Sequence, residues 1–578
     1  MVTEHWNYDE VVRYLSEATS GLIGAAPATE PSPPLTYTRT SVAPAHFLPV
    51  PPRSPTPDQD RFHFDVDAFI QREGASDFMD AKRRFYGGLP WVAQDQAHGL
   101  PYSTPAAWTT LNHPPIKHLD GPLSRWTGLF AEPPPEEASG LSSPFFDPAF
   151  QRALDAGGSS LTHGNSTRLL ANGGSFQEKM RLVADAKDHL YIAVMFWACD
   201  STADALTDAL GARVRAGVDV RLMTEGLYRE TITRRCIDRL EAAGVKVVSN
   251  RDALHPKTFG AVLHWKVWIR DGEELILGGQ NIGDYESRSD GFNFLDRDND
   301  VLVEGPAVTD AEAAWIEAWQ ARGGEGGLER AQVAAVAAKA MQVEARVRGE
   351  ANYARWLGDP ATRMQGNCRV LMQGVNAAIQ PIAPVVQAYL EASQRQVVFS
   401  SPTVRYDFRD PANAEDHGLY IHRLMAELGG AERPGRKVVV ITNGVGGGIG
   451  ESSTWLRARR DGALRERQWT LYALSREFIE LAARRAAIAN RAVTRSLAQN
   501  PSVEVWTYFQ YIHTKVWLFD RLATMVGSWN LETNSADKNP EAAILCLDQP
   551  LRDEVEADLA LALVNSVPEE SRETTQVR

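Results

Sequence analysis

VLHWKVWIRDGEELILGGQN occupies residues 262–281, and YIHTKVWLFDRLATMVGSWN occupies residues 511–530. Both follow one pattern without a gap, HxK(x)4D(x)6G[GS]xN. The first copy places it on His264, Lys266, Asp271, Gly278, Gly279 and Asn281, the second on His513, Lys515, Asp520, Gly527, Ser528 and Asn530. A lone HxK is common and says little. Two complete copies with identical spacing point to a chain built from two equivalent halves.

The spacing carries chemistry. Both stretches alternate as strands, so the His and Lys two residues apart project to one face, and Trp265 with Val267, or Thr514 with Val516, to the other. The glycine turn lets the backbone approach closely, and the Asn amide then arrives as a donor. Two such units together supply two imidazoles, two ammonium groups and two amides. That set suits a phosphodiester: cations and donors hold the non-bridging oxygens, one histidine attacks phosphorus and the other protonates the leaving oxygen. The lysines supply the charge a metal would, so neither metal nor cofactor is expected.

Outward from the motifs, the text reads as helix (175–189), strand (190–200), helix ended by Gly217, and strand from Val218. The order returns as helix (384–396), strand (397–402), strand (436–444) and a long helix over about 470–497. This is an α/β alternation with a largely buried sheet. Ten of the 33 prolines fall between Pro27 and Pro57, which precludes continuous helix or central strand there. The expected organisation is a Pro-rich arm (1–60), an irregular N-terminal region (61–164), two halves (165–345 and 346–560) and a polar tail (561–578).

Composition narrows the class. The 578-residue chain suggests about three to four domain-sized units. Its net charge of -14 counts against a protein that mainly coats nucleic acid. The N-terminus carries acids where a signal peptide would carry lysines, and no apolar run reaches bilayer length. Cys199, Cys236, Cys368 and Cys546 lie far apart without a CxxC, which reads as four separate thiols in a reducing compartment. The expected location is cytoplasmic or membrane-peripheral, although a dedicated secretion machine can export a chain without a leader.

The doubled motif resembles the HKD signature of the phospholipase D superfamily over roughly residues 165–548. GGQNIGDYE after the first copy, DRDNDVLVEGPAV (296–308) and NLETNSADKNPE (530–541) are similar to elements of the bacterial cardiolipin synthase branch. The resemblance implies two similar αβαβα halves around one pseudo-two-fold site, which a single chain can complete. It implies a covalent phosphohistidine on His264, with His513 as general acid, and a phosphate held by Lys266, Lys515, Asn281 and Asn530. It implies that Asp298 and Glu541 orient the histidines. Asp271 and Asp520 belong to the catalytic motif but are expected to brace strand and turn, while Gly278, Gly279, Gly527 and Ser528 form the turns. Gly279 departs from the usual Ser, Thr533 stands near a usual basic residue, and the N-terminal membrane helices of many cardiolipin synthases are missing.

Three other features read as secondary. His255-Pro-Lys257 is a loop decoy, because proline interrupts the ladder and no Asp follows Lys257 at the motif spacing. The glycine cluster at 444–450 lacks the GK[ST] of a P-loop and reads as a flexible rim loop. Ten arginines against four acids between Arg457 and Arg495 make a local positive patch, either a solvated helix face or a contact for an anionic lipid surface. Trp529, inside GSWN, could line the entrance.

The expected activity is phosphodiester hydrolysis or transfer on phospholipids by a phospholipase D-like phosphatidyltransferase, in peripheral contact with an anionic membrane surface. The alternative is a nuclease acting on DNA or RNA, and no nucleic-acid partner is expected under the first reading. An inactive lipid-binding scaffold would need a disabled motif, and neither copy lacks a catalytic residue type.

Overall fold

The computed structural model describes most of residues 143–568; the longest stretches outside it are 251–260, 287–295, 324–335, 337–349, 375–380, 405–423, 429–434 and 444–492. The Pro-rich arm, most of the 61–164 region, the His255 decoy, the glycine cluster and nearly all of the arginine-rich segment with its long helix lie outside the described residues.

The first half builds one seven-stranded sheet. Its strands are β1 (Ser166–Ala171), β2 (His189–Val194), β3 (Asp219–Glu225), β4 (Lys246–Asn250), β5 (Lys266–Arg270), β6 (Glu274–Gly278) and β8 (Asn299–Glu304), with the short β7 (Asp296–Arg297) standing apart. Their order is β1-β8-β6-β5-β2-β3-β4. The second half adds β9 (Asn367–Met372), β10 (Gln396–Ser400), β11 (Lys437–Thr442), β12 (Val503–Tyr508), β14 (Val516–Phe519), β15 (Ala523–Gly527), β16 (Ala542–Leu547) and β17 (Ser566–Pro568). Their order, β9-β16-β15-β14-β10-β11-β12-β17, repeats the first sheet strand for strand and then adds β17. In each sheet three strands run parallel (β2-β3-β4, β10-β11-β12) and the motif hairpin joins them antiparallel. The expected α/β duplication is therefore present at the level of strand order.

Alternation along the strands decides which face each residue buries. Val267 and Ile269 of β5 and Val516 and Leu518 of β14 enter one apolar cluster that both halves share. Trp268 of β5 turns instead to the helices Gly173–Asp185, Ser201–Arg215 and Arg234–Ala242, and Trp517 with Phe519 of β14 to the core of the second half. The two sheets thus pack face to face, with Trp315 and Trp319 of helix Ala307–Ala321 closing the shared core. Helix Ser201–Arg215 starts on Asp200, whose side chain caps Ala203 N, and ends before Gly217 at φ +93°, a conformation that favours glycine.

Both chain ends of the described region cross between halves. Helix Pro148–Asp155 precedes the first half in sequence yet packs on the core of the second: Arg369 reaches the Asp155 carboxylate at 2.8 Å, and Gln151 donates to the Tyr389 hydroxyl at 2.8 Å. Helix Gln549–Val564 runs past the expected boundary at 560, because Leu559, Ala562 and Leu563 are buried in the shared core. Residues 566–568 then form β17, so the expected polar tail begins as the end of this helix and a strand of the second sheet.

The cysteines correct the expectation of separate thiols. Cys199 pairs with Cys236, and Cys368 with Cys546. The second pair sits directly across the β9/β16 ladder with 4.1 Å between Cα atoms, and the first ties the start of helix Ser201–Arg215 to helix Arg234–Ala242. Sequence separations of 37 and 178 residues hid a proximity that only the folded topology creates. The inference of a reducing compartment falls with them.

Candidate active site

The motif spacing has a local cause. After Lys266 or Lys515 comes one short strand, then a tight turn whose first residue is the motif aspartate in the left-handed region, at φ 52° for Asp271 and 50° for Asp520. Gly272 and Arg521 follow at φ 62° and 57°, so both central turn residues are left-handed, the geometry that suits the twist of a two-stranded hairpin. The returning strand ends on Gly278 or Gly527. A Cβ at Gly278 would lie 2.4 Å from Asp300 Cα, and one at Gly527 2.4 Å from the carbonyl of Ala542. Glycine there lets β6 and β15 press against β8 and β16.

Each motif aspartate holds backbone. Asp271 accepts from the N–H groups of Lys187, Asp188 and His189 at 3.0, 2.8 and 2.9 Å. Asp520 accepts from Gln394, Arg395 and Gln396 at 2.8, 2.9 and 2.9 Å. Burial pushes the Asp271 carboxyl up, but the three N–H donors outweigh it and hold the group below its usual range. Both aspartates lie at the turn, away from the histidines at the other end of the strand.

The histidines stand just before their strands, not within them, because their N–H groups are spent on the other half. His264 N donates to Pro540 O at 2.9 Å, and His513 N to Arg297 O at 2.7 Å. The next residue in each case is the carboxylate that meets the ring: His264 Nδ1 lies 2.8 Å from Glu541 Oε2, and His513 Nδ1 lies 2.7 Å from Asp298 Oδ2. A two-stranded parallel pair of β7 with β13 (Tyr511–Ile512) locks this exchange beside His513. Lys266 Nζ donates to His264 O at 3.0 Å, and Lys515 Nζ to His513 O. Both lysines are 1% exposed.

The carboxylates differ in their support. Glu541 accepts from Ser528 Oγ, from Ser535 Oγ at 2.7 Å and from Asn539 Nδ2 at 3.4 Å. Asp298 has no serine beside it: a Cβ at Gly279 would lie 2.1 Å from Asp298 Oδ1, and that oxygen accepts instead from Asn299 N at 2.8 Å. The departure from serine at 279 thus follows from a carboxylate one methylene shorter that sits where the side chain would be. Trp529 is fully buried, with its indole N–H on Ser535 O at 3.0 Å, so it belongs to the core and not to an entrance.

Electrostatics follow from two ammonium groups in a buried site. Burial and then Lys515 lower the Lys266 ammonium to about 7. Burial pushes Asp298 up to about 7, with Asp300 adding to the rise. Burial and then Lys515 hold His513 well below its usual value, and burial lowers His264 against the opposing pull of Glu541. An anion entering between the lysines would oppose these shifts on the histidines.

Several residues here escaped the sequence reading. Asn172 and Gln373 each follow the first strand of their half and clamp the orienting carboxylate's backbone: Asn172 N donates to Asp298 O at 2.8 Å, and Gln373 N to Glu541 O at 2.8 Å. Superposing the halves from β1 and β9 would have exposed that pair. Asn443 grips the segment before His513, with Nδ2 on Ile512 O at 2.8 Å and Oδ1 accepting from Ile512 N at 2.7 Å. Asp558 holds both Arg297 and Asn299 from helix Gln549–Val564. Lys179 pairs with Asp300 at 2.8 Å behind the Gly278 turn. Glu286 binds Asn281 through its backbone N–H and, at 2.9 Å, its Nδ2. Among the described residues, Glu286, Asp298 and His513 offer three ligand atoms within 4.8 Å of one another. A cation there would compete with the Asp298–His513 hydrogen bond and face the lysines.

A duplicated sheet with crossed His–carboxylate pairs at its centre makes two phospholipase D-like halves around one site. The family described as cardiolipin synthase, PLD-like domain, matches residues 180–318 and 419–561, one segment in each half. Cardiolipin synthase 1 of Bacillus cereus is 32% identical over 168 residues, covering 28% of this chain and 33% of that protein. The major cardiolipin synthase of Bacillus subtilis is 29% identical over 163 residues, covering 27% and 34%. The similarity spans about a third of the length of these relatives. Among solved structures, phosphatidylserine synthase of Haemophilus influenzae Rd KW20 is 12% identical, with a TM-score of 0.46, covering 72% of this chain and 91% of that one.

Proposed function

We propose that the chain is a phosphatidyltransferase that cleaves a phospholipid's headgroup phosphodiester and passes the phosphatidyl group to an acceptor. The crossed pairs, His264 on Glu541 and His513 on Asp298, with a buried lysine beside each histidine, carry this reading. His264, its Nδ1 held by Glu541, presents Nε2 to phosphorus. The Lys266 and Lys515 ammonium groups, with Asn530, hold the non-bridging oxygens. His513, oriented by Asp298, protonates the leaving oxygen, so a phosphohistidine forms on His264 as the headgroup alcohol departs. The acceptor then attacks phosphorus, gives its proton to His513 and frees His264. Asp271 and Asp520 act at a distance by bracing the motif hairpins.

Among the described residues no helix is long and apolar enough to cross a membrane. Similarity to cardiolipin synthases supports a phospholipid over other diesters. The test incubates the full chain with phosphatidylglycerol and phosphatidylethanolamine vesicles and identifies products by mass spectrometry. Phosphatidic acid or an exchanged headgroup, absent with His264→Ala, is expected. No lipid product from folded protein, together with salt-sensitive DNA cleavage, would replace this reading with a nuclease.

A further inference from the structure

Asp558 is a carboxylate among apolar neighbours. Val555, Leu559 and Ala562 of helix Gln549–Val564 are buried in the core that the two halves share, and Asp558 between them is itself buried. A charge is costly to place there unless it is paired and hydrogen-bonded. Its partners come from the other half. Arg297 Nη2 donates to one carboxylate oxygen and, at 3.0 Å, to the Asp558 carbonyl; Asn299 Nδ2 donates to the other carboxylate oxygen at 2.8 Å. Arg297 and Asn299 are the two chain neighbours of Asp298, whose carboxylate meets the His513 ring. Each also reaches the same unit through its backbone: Arg297 O accepts from His513 N at 2.7 Å, and Asn299 N donates to Asp298 Oδ1 at 2.8 Å. At the other histidine the support is built differently. Glu541 stands between Pro540 and Ala542, which have no polar side chain to be gripped, and is fixed through its own oxygens by Ser528, Ser535 and Asn539. Gly279 denies Asp298 such a serine. The hold on Asp298 has moved to its flanks.

We propose that Asp558 is a positioning residue for the acid–base histidine: its carboxylate, bonded to Arg297 and Asn299, sets the place of Asp298 between them and, through Asp298, the ring of His513. This rests on the phosphohistidine scheme above. In its first step His264 Nε2 bonds to phosphorus, the phosphorus–oxygen bond to the headgroup breaks, and the Nε2 proton of His513 passes to the departing oxygen. A leaving group that departs as a stable anion does not need that proton, whereas an alkoxide does. The effect of Asp558 should therefore grow with the basicity of the leaving group. Loosening Glu541, which orients the attacking His264, should slow both kinds of leaving group alike.

The experiment compares headgroup release in a single turnover from phosphatidyl-p-nitrophenol and from phosphatidylglycerol, in vesicles otherwise alike. Wild type, Asp558→Asn, Asn299→Ala and Ser535→Ala are used as full chains. An amide accepts on one side only, so Asp558→Asn must lose Arg297 or Asn299. Asn299→Ala removes one hold and keeps the buried ion pair, so it decides the matter even where Asp558→Asn fails to fold. In both, glycerol release is expected to fall about tenfold or more relative to p-nitrophenol release, the cost of a misplaced acid, while Ser535→Ala leaves that ratio near the wild-type value. The downfield proton spectrum gives a readout without turnover. The Nδ1 protons of His513 and His264 are assigned by their loss in His513→Ala and His264→Ala; Asp558→Asn and Asn299→Ala are expected to shift or broaden the first and leave the second in place. Equal slowing of both leaving groups overturns the proposal, as does a His513 proton that stays put in both variants. So does movement of the two protons together, which would make Asp558 a clamp on the whole interface. If wild type releases neither headgroup, the phosphatidyltransfer reading fails by itself, and the two protons still decide whether Asp558 places His513.

Discussion

His264 and Glu541 stand 277 residues apart in sequence and 2.8 Å apart in space, and His513 meets Asp298 by the same exchange in reverse. Each half supplies the histidine of one pair and the carboxylate of the other. The backbone repeats the exchange, through Pro540 O to His264 N and Arg297 O to His513 N. Neither half therefore orients its own histidine, and the proposed site exists only in the docked pair of sheets.

This reciprocity makes the carboxylates testable apart from the histidines. His264→Ala and His513→Ala are expected to abolish turnover. Glu541→Gln and Asp298→Asn keep the shape but lose the charge that fixes the ring, and each should lower kcat by about 100-fold or more. The Glu541→Gln/His264→Ala double variant should be no worse than His264→Ala alone, since the two act as one unit. Steady-state kinetics with circular dichroism of each variant checks this; wild-type-like turnover from either histidine variant would sink the two-histidine scheme.

The pH dependence follows from the lysines. In the free site burial and Lys515 hold His513 well below its usual value, so the general acid is mostly unprotonated near neutrality. A bound phosphodiester places an anion beside it and raises its affinity for the proton. The alkaline limb of kcat, which reports the complex, is therefore expected at higher pH than the alkaline limb of kcat/KM, which reports the free enzyme. Coincident limbs would show that substrate does not charge the acid.

The motif aspartates should separate stability from chemistry. Asp271→Ala removes the carboxylate that holds three backbone N–H groups, two of them exposed to water, and should destabilise by about 1–2 kcal/mol. The folded-state carboxyl of Asp271 is depressed, so its contribution is complete above its unfolded value near pH 4 and is lost as pH falls through the lower folded value. Urea midpoints of wild type and Asp271→Ala should therefore converge toward low pH. A constant difference between them down to low pH would refute the ionic origin of the brace.

Two disulfides predict a chain with no free thiol when denatured without reductant. Cys368–Cys546 is fully buried between β9 and β16, whereas Cys199 is only half-buried, so Cys199–Cys236 should reduce first in the folded protein. Its 37-residue loop corresponds to about 4 kcal/mol of chain-entropy stabilisation. Thiol titration before and after mild reduction, with the denaturation midpoint of Cys199→Ser/Cys236→Ser, measures both. Four reactive thiols in unreduced, denatured protein would contradict the pairing.

What the sequence disclosed follows from locality. The duplicated motif, the hairpin spacing and the helix stop at Gly217 arise from neighbours in sequence, and the strand order matches the halves they announce. The orienting acids Asp298 and Glu541 were reached only through resemblance. No spacing rule connects residue 541 to residue 264. The cysteine pairs, Asn172, Gln373, Asn443 and Asp558 escaped because their partners are brought near only by sheet packing. Glu286 left one local trace, an acid five residues after the motif asparagine. Trp529 misled because a tryptophan beside a motif asparagine can face either way, and here its indole N–H finds Ser535 O in the core.

The difference between the two carboxylate sites yields the most discriminating substitution. Ser528 supports Glu541, while Gly279 makes room for Asp298, whose oxygen lies 2.1 Å from where a Cβ would be. Gly279→Ser alone must push Asp298 away from His513 and should slow turnover about tenfold or more, the cost of a misplaced orienting group. Asp298→Glu alone has an extra methylene and no serine to hold it. Together, Gly279→Ser/Asp298→Glu rebuild in the first half the arrangement that works in the second, so the double variant should recover at least part of the activity lost by each single one. Comparison of kcat for the three variants measures that coupling. Strict additivity would mean that the serine and the carboxylate length do not compensate each other, and the two halves would then orient their histidines by different means.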